Sequence, residues 1–301
     1  MKIFVNKSGK LASHKEKPFK LEREIQKLFE SNLQDIMGLD VVKSEFTIKN
    51  KRIDTLAFDS KTSAFTIIEY KRDKNISVVD QGFTYLSLML ENKADFIIEY
   101  NENNTKPLKR EDVDWSQTRV AFVSQSFTDN QVLATNFKDI AIELWEVKQY
   151  EDSLITIHNI KKTQSAESIK PISQQNQVFK KVADEIKVYS EEDNLAIASE
   201  EIVELYERFK SAILNLSDGI EVKPQKFYIA FKKDKNIADL QIQKNSIKIF
   251  INKKKGTLDD PKKFMRDVSE IGHMGNGDYQ VQVSNDENLE YIMSLVKQAI
   301  L

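Results

Sequence analysis

The chain contains no cysteine, which removes disulfides and every metal site built on thiolates. Histidine is almost as scarce: His14, His158 and His273 lie far apart in 301 residues. No imidazole cluster and no Ser-His-Asp set can therefore be assembled from neighbouring segments. Eight glycines and five prolines exclude a collagen-like or low-complexity chain. Long apolar runs are missing as well. A membrane helix needs about 20 mostly apolar residues, whereas the densest stretch, Phe83 to Leu90, is short and amphipathic. At the start, Met1-Lys2-Ile3-Phe4-Val5 runs straight into further lysines without the pattern of a secretory signal. These absences lead to the expectation of a cytoplasmic protein with no membrane partner.

With 40% hydrophobic and 31% charged residues, the chain can bury a core in each of two domains of ordinary size. Three segments are expected: residues 1–160 as one domain, 161–195 as a linker and 196–301 as a second, smaller α+β domain. The linker expectation rests on Lys161–Gln177, which is rich in Ser, Gln and Lys and contains Pro171. In the first domain, Leu21–Phe29 and Ser77–Asn92 read as helices, with Ser77 a suitable N-cap. Asp95–Tyr100, Arg119–Phe127, Ile140–Lys148 and Ser153–Asn159 read as strands, with a helix near Asp129–Phe137. The expected fold class is α/β (α+β), a mixed sheet flanked by helices. In the second domain Ser199 opens a helix with the stripe Ile202, Leu205, Phe209 and Ile213. Strands follow at Phe227–Lys232, Ile237–Gln243, Ser246–Asn252 and Tyr279–Val283, then a closing helix over Asn288–Ile300. Gly272, Gly275 and Gly277 punctuate a turn, and His273 among them reads as a turn residue. Those glycines do not join a strand to a helix as a dinucleotide fingerprint would.

The chemistry concentrates between residues 52 and 85. Phe65-Thr66-Ile67-Ile68-Glu69-Tyr70-Lys71 has the aromatic and β-branched content of a buried strand. Its period of two places Phe65, Ile67, Glu69 and Lys71 on one face. Upstream, Arg52-Ile53-Asp54-Thr55-Leu56-Ala57-Phe58 repeats the pattern, with Asp54, Leu56 and Phe58 on one face. The turn Ser60–Ser63 makes the two runs a hairpin that brings Asp54 near Glu69. An acid-x-lysine pair alone says little, since the chain holds seven of them, including Asp59/Lys61, Glu91/Lys93 and Glu185/Lys187. Glu69/Lys71 differs by its setting, where two charges end an apolar stripe and are costly to bury unless they pair or hold a metal. Gln81 and Tyr85 follow one turn apart on a single helix face.

Arg52-Ile53-Asp54, Ile68-Glu69-Tyr70-Lys71-Arg72 and Gln81-x-x-x-Tyr85 together resemble the PD-(D/E)xK nuclease superfamily, in its NucS-like and RecB-like branch. Over nearly its full length the chain also resembles a bacterial family labelled "predicted transport protein", in which such a core precedes a C-terminal domain of unknown function. The transport label finds no membrane segment to support it. The nuclease resemblance implies a restriction-endonuclease-like first domain and a Mg²⁺- or Mn²⁺-dependent endonuclease, a hydrolase of phosphodiester bonds acting in repair or defence. Asp54, Glu69 and the Tyr70 carbonyl would hold the metal, and Lys71 would stabilise the transition state. Gln81 and Tyr85 would support the site or touch the backbone of the substrate. The leading helix would carry a further glutamate, Glu22, with Glu24 as its rival. The partner implied is nucleic acid, DNA before RNA, and cutting both strands would call for a homodimer. The alternative is a module of the same fold without catalysis, binding nucleic acid or serving assembly.

Charge is uneven despite a net of −2. The first 27 residues hold eight Lys or Arg against three acids, and Glu221–Arg266 holds thirteen against five. Such patches suit a phosphate backbone and equally a solvated lysine-rich surface.

Overall fold

A computed structural model describes residues 3–72, 77–105, 107–163, 165–169, 171, 177–233 and 235–300, the side chain of 178 excepted. The chain forms two compact units, Met1–Val188 and Tyr189–Leu301.

The first unit is built on a six-stranded sheet in the order β3-β4-β5-β6-β7-β8. Its strands are β3 (Asp40–Ile48), β4 (Lys51–Asp59), β5 (Ala64–Lys71), β6 (Arg119–Ser124), β7 (Ile142–Gln149) and β8 (Ile155–Ile160). The outer pairs are antiparallel, while β5, β6 and β7 run parallel. Central strands of a mixed sheet are covered on both faces and read as continuous apolar runs. Accordingly β5 is buried from Ala64 to Tyr70. One face packs on α1 (Glu22–Ser31), with Ile25 and Phe29 against Ala57, Ile68 and Tyr70. The other packs on α3 (Val78–Glu91), with Phe83, Leu86 and Met89 against Leu56, Ile67 and Phe122. A short helix α2 (Leu33–Met37) joins α1 to the sheet, and α5 (Asp129–Thr135) follows β6. An N-terminal hairpin, β1 (Ile3–Lys7) and β2 (Lys10–His14), precedes α1.

Two expectations are corrected here. Asp95–Tyr100 lies in a helix, α4 (Lys93–Asn103), rather than a strand. Its aromatic content suggests a strand, but Phe96 and Tyr100, four residues apart, dock side by side on the sheet. Phe96 meets Phe46 and Phe65, and Tyr100 meets Phe58. The second correction concerns the linker. Much of Lys161–Gln177 falls outside the described residues, but the helix at its end is no spacer. In α6 (Gln177–Glu185), Phe179 stacks on Phe83 at 4.0 Å between centroids, and Val182 joins the core, with Ile186 just past the helix. Ile169 is buried there too. The apolar residues of this helix find their partner on α3, so the first unit extends to Val188.

The second unit has a six-stranded antiparallel sheet in the order β13-β14-β12-β11-β10-β9. These strands are β9 (Glu221–Pro224), β10 (Ile229–Lys232), β11 (Asn236–Gln243), β12 (Ser246–Ile251), β13 (Arg266–Asp267) and β14 (Tyr279–Val283). A short α7 (Glu191–Leu195) leads into α8 (Glu200–Leu214), which packs with α9 (Leu289–Lys297) on one sheet face through Phe209, Ile213, Ile292 and Val296. Ser199 stands at the N-cap of α8 without a side-chain bond to it. The glycine-rich turn lies against the opposite face. Gly277, at φ +87°, sits where a Cβ would fall 2.0 Å from the Ile251 carbonyl oxygen. His273 is held between the Ile271 and Gly277 carbonyls and stacks on Phe250. Both units together make the expected α/β (α+β) class. Among the described residues no helix is long and apolar enough to cross a membrane.

Candidate active site

The site forms where β4 and β5 stop pairing. Their register runs from Asp59↔Ala64 to Thr55↔Ile68 and ends there. Beyond it the two acids take the place of ladder carbonyls. The Tyr70 amide donates to Asp54 Oδ2 at 3.0 Å, and the Asp54 amide donates to Glu69 Oε1 at 3.2 Å. Each carboxylate therefore caps the other strand's backbone. The expected period of two is interrupted at Asp54 rather than carried through it. Ile53 joins the same core as Leu56 and Phe58, although an unbroken strand would send it to the other face. Opposite Asp54 in β3 stands Glu45, between the pairs Ser44↔Thr55 and Phe46↔Ile53, at φ +54°. A left-handed residue there is uncommon for a non-glycine, and it stands at the point where the alternation breaks.

On the α3 side, Glu69 is 2% exposed. Its Oε2 accepts from Lys71 Nζ at 3.1 Å and from Gln81 Nε2 at 3.3 Å. Gln81 Nε2 also lies 3.3 Å from the Tyr85 hydroxyl, which reaches the Arg52 carbonyl at 3.4 Å. Ser77 caps this helix by accepting from the Asp80 amide, so the cap fixes the phase that turns Gln81 and Tyr85 inward. The Lys71–Glu69 pair is a partly buried ion pair, with side chains 15% and 3% exposed.

The α1 side separates the two rival glutamates. Glu22 Oε1 accepts from the Arg72 amide at 2.9 Å, at the end of the acid-x-lysine strand. Glu24 turns back on its own helix start and accepts from the Lys20 and Leu21 amides. Two residues that no sequence motif marks stand behind the acids. Gln26, 7% exposed, donates through Nε2 to the Asp54 carbonyl at 2.9 Å, and lies within 3.2 Å of Glu30 Oε1 and Ser44 Oγ. Glu30 Oε1 accepts from Thr55 Oγ1, which also meets the Tyr70 hydroxyl. The signal for Gln26 is its place in the buried stripe Ile25–Phe29, where a polar residue needs partners.

The electrostatics favour a cation. Burial pushes the Asp54 carboxyl up from its ordinary range, against the Tyr70 amide that lowers it, and the Glu22 charge adds to the rise. Burial also raises Glu69, and the neighbouring Asp54 charge raises it further. Two buried acids that oppose each other's ionisation are relieved by a positive ion. The donors are all oxygens, as hard cations require. Asp54 Oδ1 takes no bond from a described residue. In a strand the N–H and C=O of one residue share an edge, so the Tyr70 carbonyl points to the Asp54 side, as its amide does. Gln81 Oε1 is buried without a partner among the described residues. Among the described residues no three His, Cys, Asp or Glu groups converge as a metal cluster, so Glu22 stands apart from the pair. Two carboxylates with a carbonyl still fit Mg²⁺ or Mn²⁺, since Mg²⁺ keeps several waters and often takes only one or two carboxylates. Burial and the Glu69 charge hold the Tyr85 phenol well above its ordinary range, leaving it a neutral donor.

Comparison with known proteins bears mainly on the relationship. A family model described as a domain of unknown function (DUF5655) matches residues 191–300, almost the whole second unit. A Haemophilus influenzae protein described as an uncharacterized protein is 56% identical over 300 residues, covering 100% of this chain and 99% of its own. Among solved structures, that of a repair endonuclease from Pyrococcus abyssi matches with 19% identity and a TM-score of 0.24. The match covers 43% of this chain and 48% of the endonuclease, less than half of its length.

Proposed function

The chain belongs to the family of that Haemophilus influenzae protein, and from its site we propose a metal-dependent nuclease that hydrolyses phosphodiester bonds in nucleic acid, with DNA as substrate. The observation that carries this reading is the reciprocal bonding of Asp54 and Glu69 to each other's strands. It holds two carboxylates together, with Lys71 Nζ at 3.1 Å from one of them.

Asp54, Glu69 and the Tyr70 carbonyl would hold Mg²⁺ or Mn²⁺. When bound, the ion supplies Lewis-acid neutralisation of phosphate charge and lowers the pKa of water. Lys71 offers its ammonium beside the pair, where it can donate to a phosphate oxygen as negative charge grows there. Gln81 steadies Glu69 Oε2, and Tyr85 steadies Gln81. Glu22 pins the Arg72 amide, which keeps the end of β5 in place. Repair and defence against foreign DNA are the roles such an activity would serve.

The test is cleavage of circular and linear DNA with Mn²⁺ by the wild type, Asp54→Ala and Lys71→Ala. The wild type should cut only with metal, and each variant should lose on the order of a hundredfold or more. Metal-dependent cutting that survives both substitutions overturns the reading. One observation favours a second reading, a binding or assembly module without catalysis. The Glu69–Lys71 ion pair and the two amide bonds satisfy much of the charge without an ion. Calorimetric titration with Mg²⁺ and Mn²⁺ separates the two, because only the nuclease needs an affinity for metal.

A further inference from the structure

Resting on the nuclease reading, we infer that the chain from the N-terminal hairpin to the first turn of α1 is the track that holds a nucleic-acid backbone as it enters the acid-pair site. The sequence shows an excess of cations here, and the fold shows where it goes. β5, β6 and β7 are parallel, so their C-terminal ends lie along one edge of the sheet. The segment after the hairpin crosses all three. At β7, Lys17 N donates to the Gln149 carbonyl at 2.8 Å, Glu151 N donates to the Lys15 carbonyl at 3.0 Å, and Glu16 bridges to Tyr150. Just beyond β6, Phe19 is buried, its amide donating to Gln125 Oε1 at 2.7 Å while its carbonyl accepts from Gln125 Nε2. At the end of β5, the Lys20 carbonyl accepts from the Arg72 guanidinium and Glu22 receives the Arg72 amide. The track thus ends beside Lys71 and the acids. Ligands of open α/β sheets bind outside the carboxyl ends of the strands.

The charge along this path is directed outward. Lys7, Lys10, Lys15, Lys17, Lys20 and Arg23 are exposed. The acids among them are largely occupied: Glu22 and Glu24 accept from backbone amides, and the exposed Glu16 is left facing solvent. Nearby, Glu151 accepts from the Lys15 amide and Asp152 lies 3.9 Å from His14. The hairpin has two strands and no core of its own, which makes it marginal in isolation. It exposes Phe4 and Leu11 between its lysines, apolar surface of the kind on which an unpaired base can rest. A phosphate backbone is the polyanion that this arrangement delivers to a phosphodiester-cleaving centre.

Fluorescence anisotropy of the full chain with labelled duplex and single-stranded DNA, in EDTA so that nothing is cut, tests the track. Lys17→Gln/Lys20→Gln/Arg23→Gln is compared with Lys61→Gln/Lys138→Gln/Lys180→Gln, whose lysines are exposed elsewhere on the unit. Thermal melts matching the wild type certify that both fold. If each track cation meets one phosphate, the first triple should flatten the plot of log K against log salt by roughly 2 to 3, at about 0.7–0.9 per contact. Its affinity at about 100 mM salt should fall tenfold or more, and the second triple should match the wild type. Equal slopes for the two triples overturn the track, as does binding to phosphatidylserine vesicles without binding to DNA. Track-dependent binding without Mn²⁺-dependent cleavage keeps the track and removes the nuclease. Cleavage with binding indifferent to the three substitutions does the reverse.

Discussion

Gly82 offers the sharpest test of how α3 is seated. A Cβ built there would lie 2.4 Å from Ile142 Cδ1, 2.9 Å from Ile142 Cγ1 and 3.5 Å from Phe122 Cε2. The first two distances are far inside van der Waals contact, so alanine requires Ile142 or the helix to withdraw by about an ångström. Gly82→Ala gains up to about 1 kcal/mol in helix propensity. Overpacking a tight core costs about 1–3 kcal/mol, so the net is a loss of up to about 2 kcal/mol. Ile142→Val removes Cδ1 and alone costs about 0.5–1.5 kcal/mol. In the double variant the new methyl occupies the space left by the old one, giving a favourable coupling of about 1–2 kcal/mol. Urea denaturation of the four proteins measures this. The same shift carries Gln81 away from Glu69, where the bond is already 3.3 Å long. Mn²⁺-dependent cleavage should therefore fall by about ten- to a hundredfold in Gly82→Ala and recover in the double variant. If Gly82→Ala is as stable as the wild type and Ile142→Val is merely additive, the helix does not sit as close to β6 and β7 as these distances require. Lost stability with unchanged cleavage would instead free Gln81 of any role in the site.

Gln26→Leu keeps the side-chain volume but strands the Asp54 carbonyl and removes a donor from Glu30; a loss of about 1–3 kcal/mol is expected, with a larger drop in kcat than in KM, and unchanged kinetics would show that Asp54 is held without it. Stability, pH and metal are linked through the acid pair. Asp54 and Glu69 have folded-state pKa values raised above their unfolded values, so the stability they contribute is present below the unfolded values and is lost as pH rises through the folded ones. At pH about 7.5, above the ordinary carboxylate range, a bound cation offsets that penalty. Near pH 4 protons compete with the metal. Mn²⁺ at a hundred times its dissociation constant should add about 2.7 kcal/mol, raising Tm by roughly 5–11 °C for a unit of this size. The increment should shrink towards zero near pH 4 and in Asp54→Ala, and equal increments under all three conditions would place the ion elsewhere.

Much of the frame is legible in the residues alone. The apolar stripe Phe65–Ile67 dictates a buried strand, and its parity puts Glu69 and Lys71 on the side where α3 packs. Ser77 dictates a cap, and the three-to-four spacing after it brings Gln81 and Tyr85 to that same face. These are local rules, carried by period and capping chemistry. They fail where contacts between distant segments decide. Asp95–Tyr100 has the composition of a strand, yet aromatic partners in β3, β4 and β5 hold it as a helix. The segment after Gln177 has a stripe with no visible partner until α3 supplies one. The interruption of β4 at Asp54 coincides with the left-handed Glu45 across the strand pair, which no period in β4 can announce. Whether Glu22 or Glu24 reaches the end of β5 depends on which one the helix start uses as its own cap. The residue types that could do phosphodiester chemistry were thus determined along the chain. Their meeting at one point, with Gln26 behind them and a basic track leading in, was decided only when the sheet closed, because side chains many residues apart become neighbours through tertiary packing and not through any local preference.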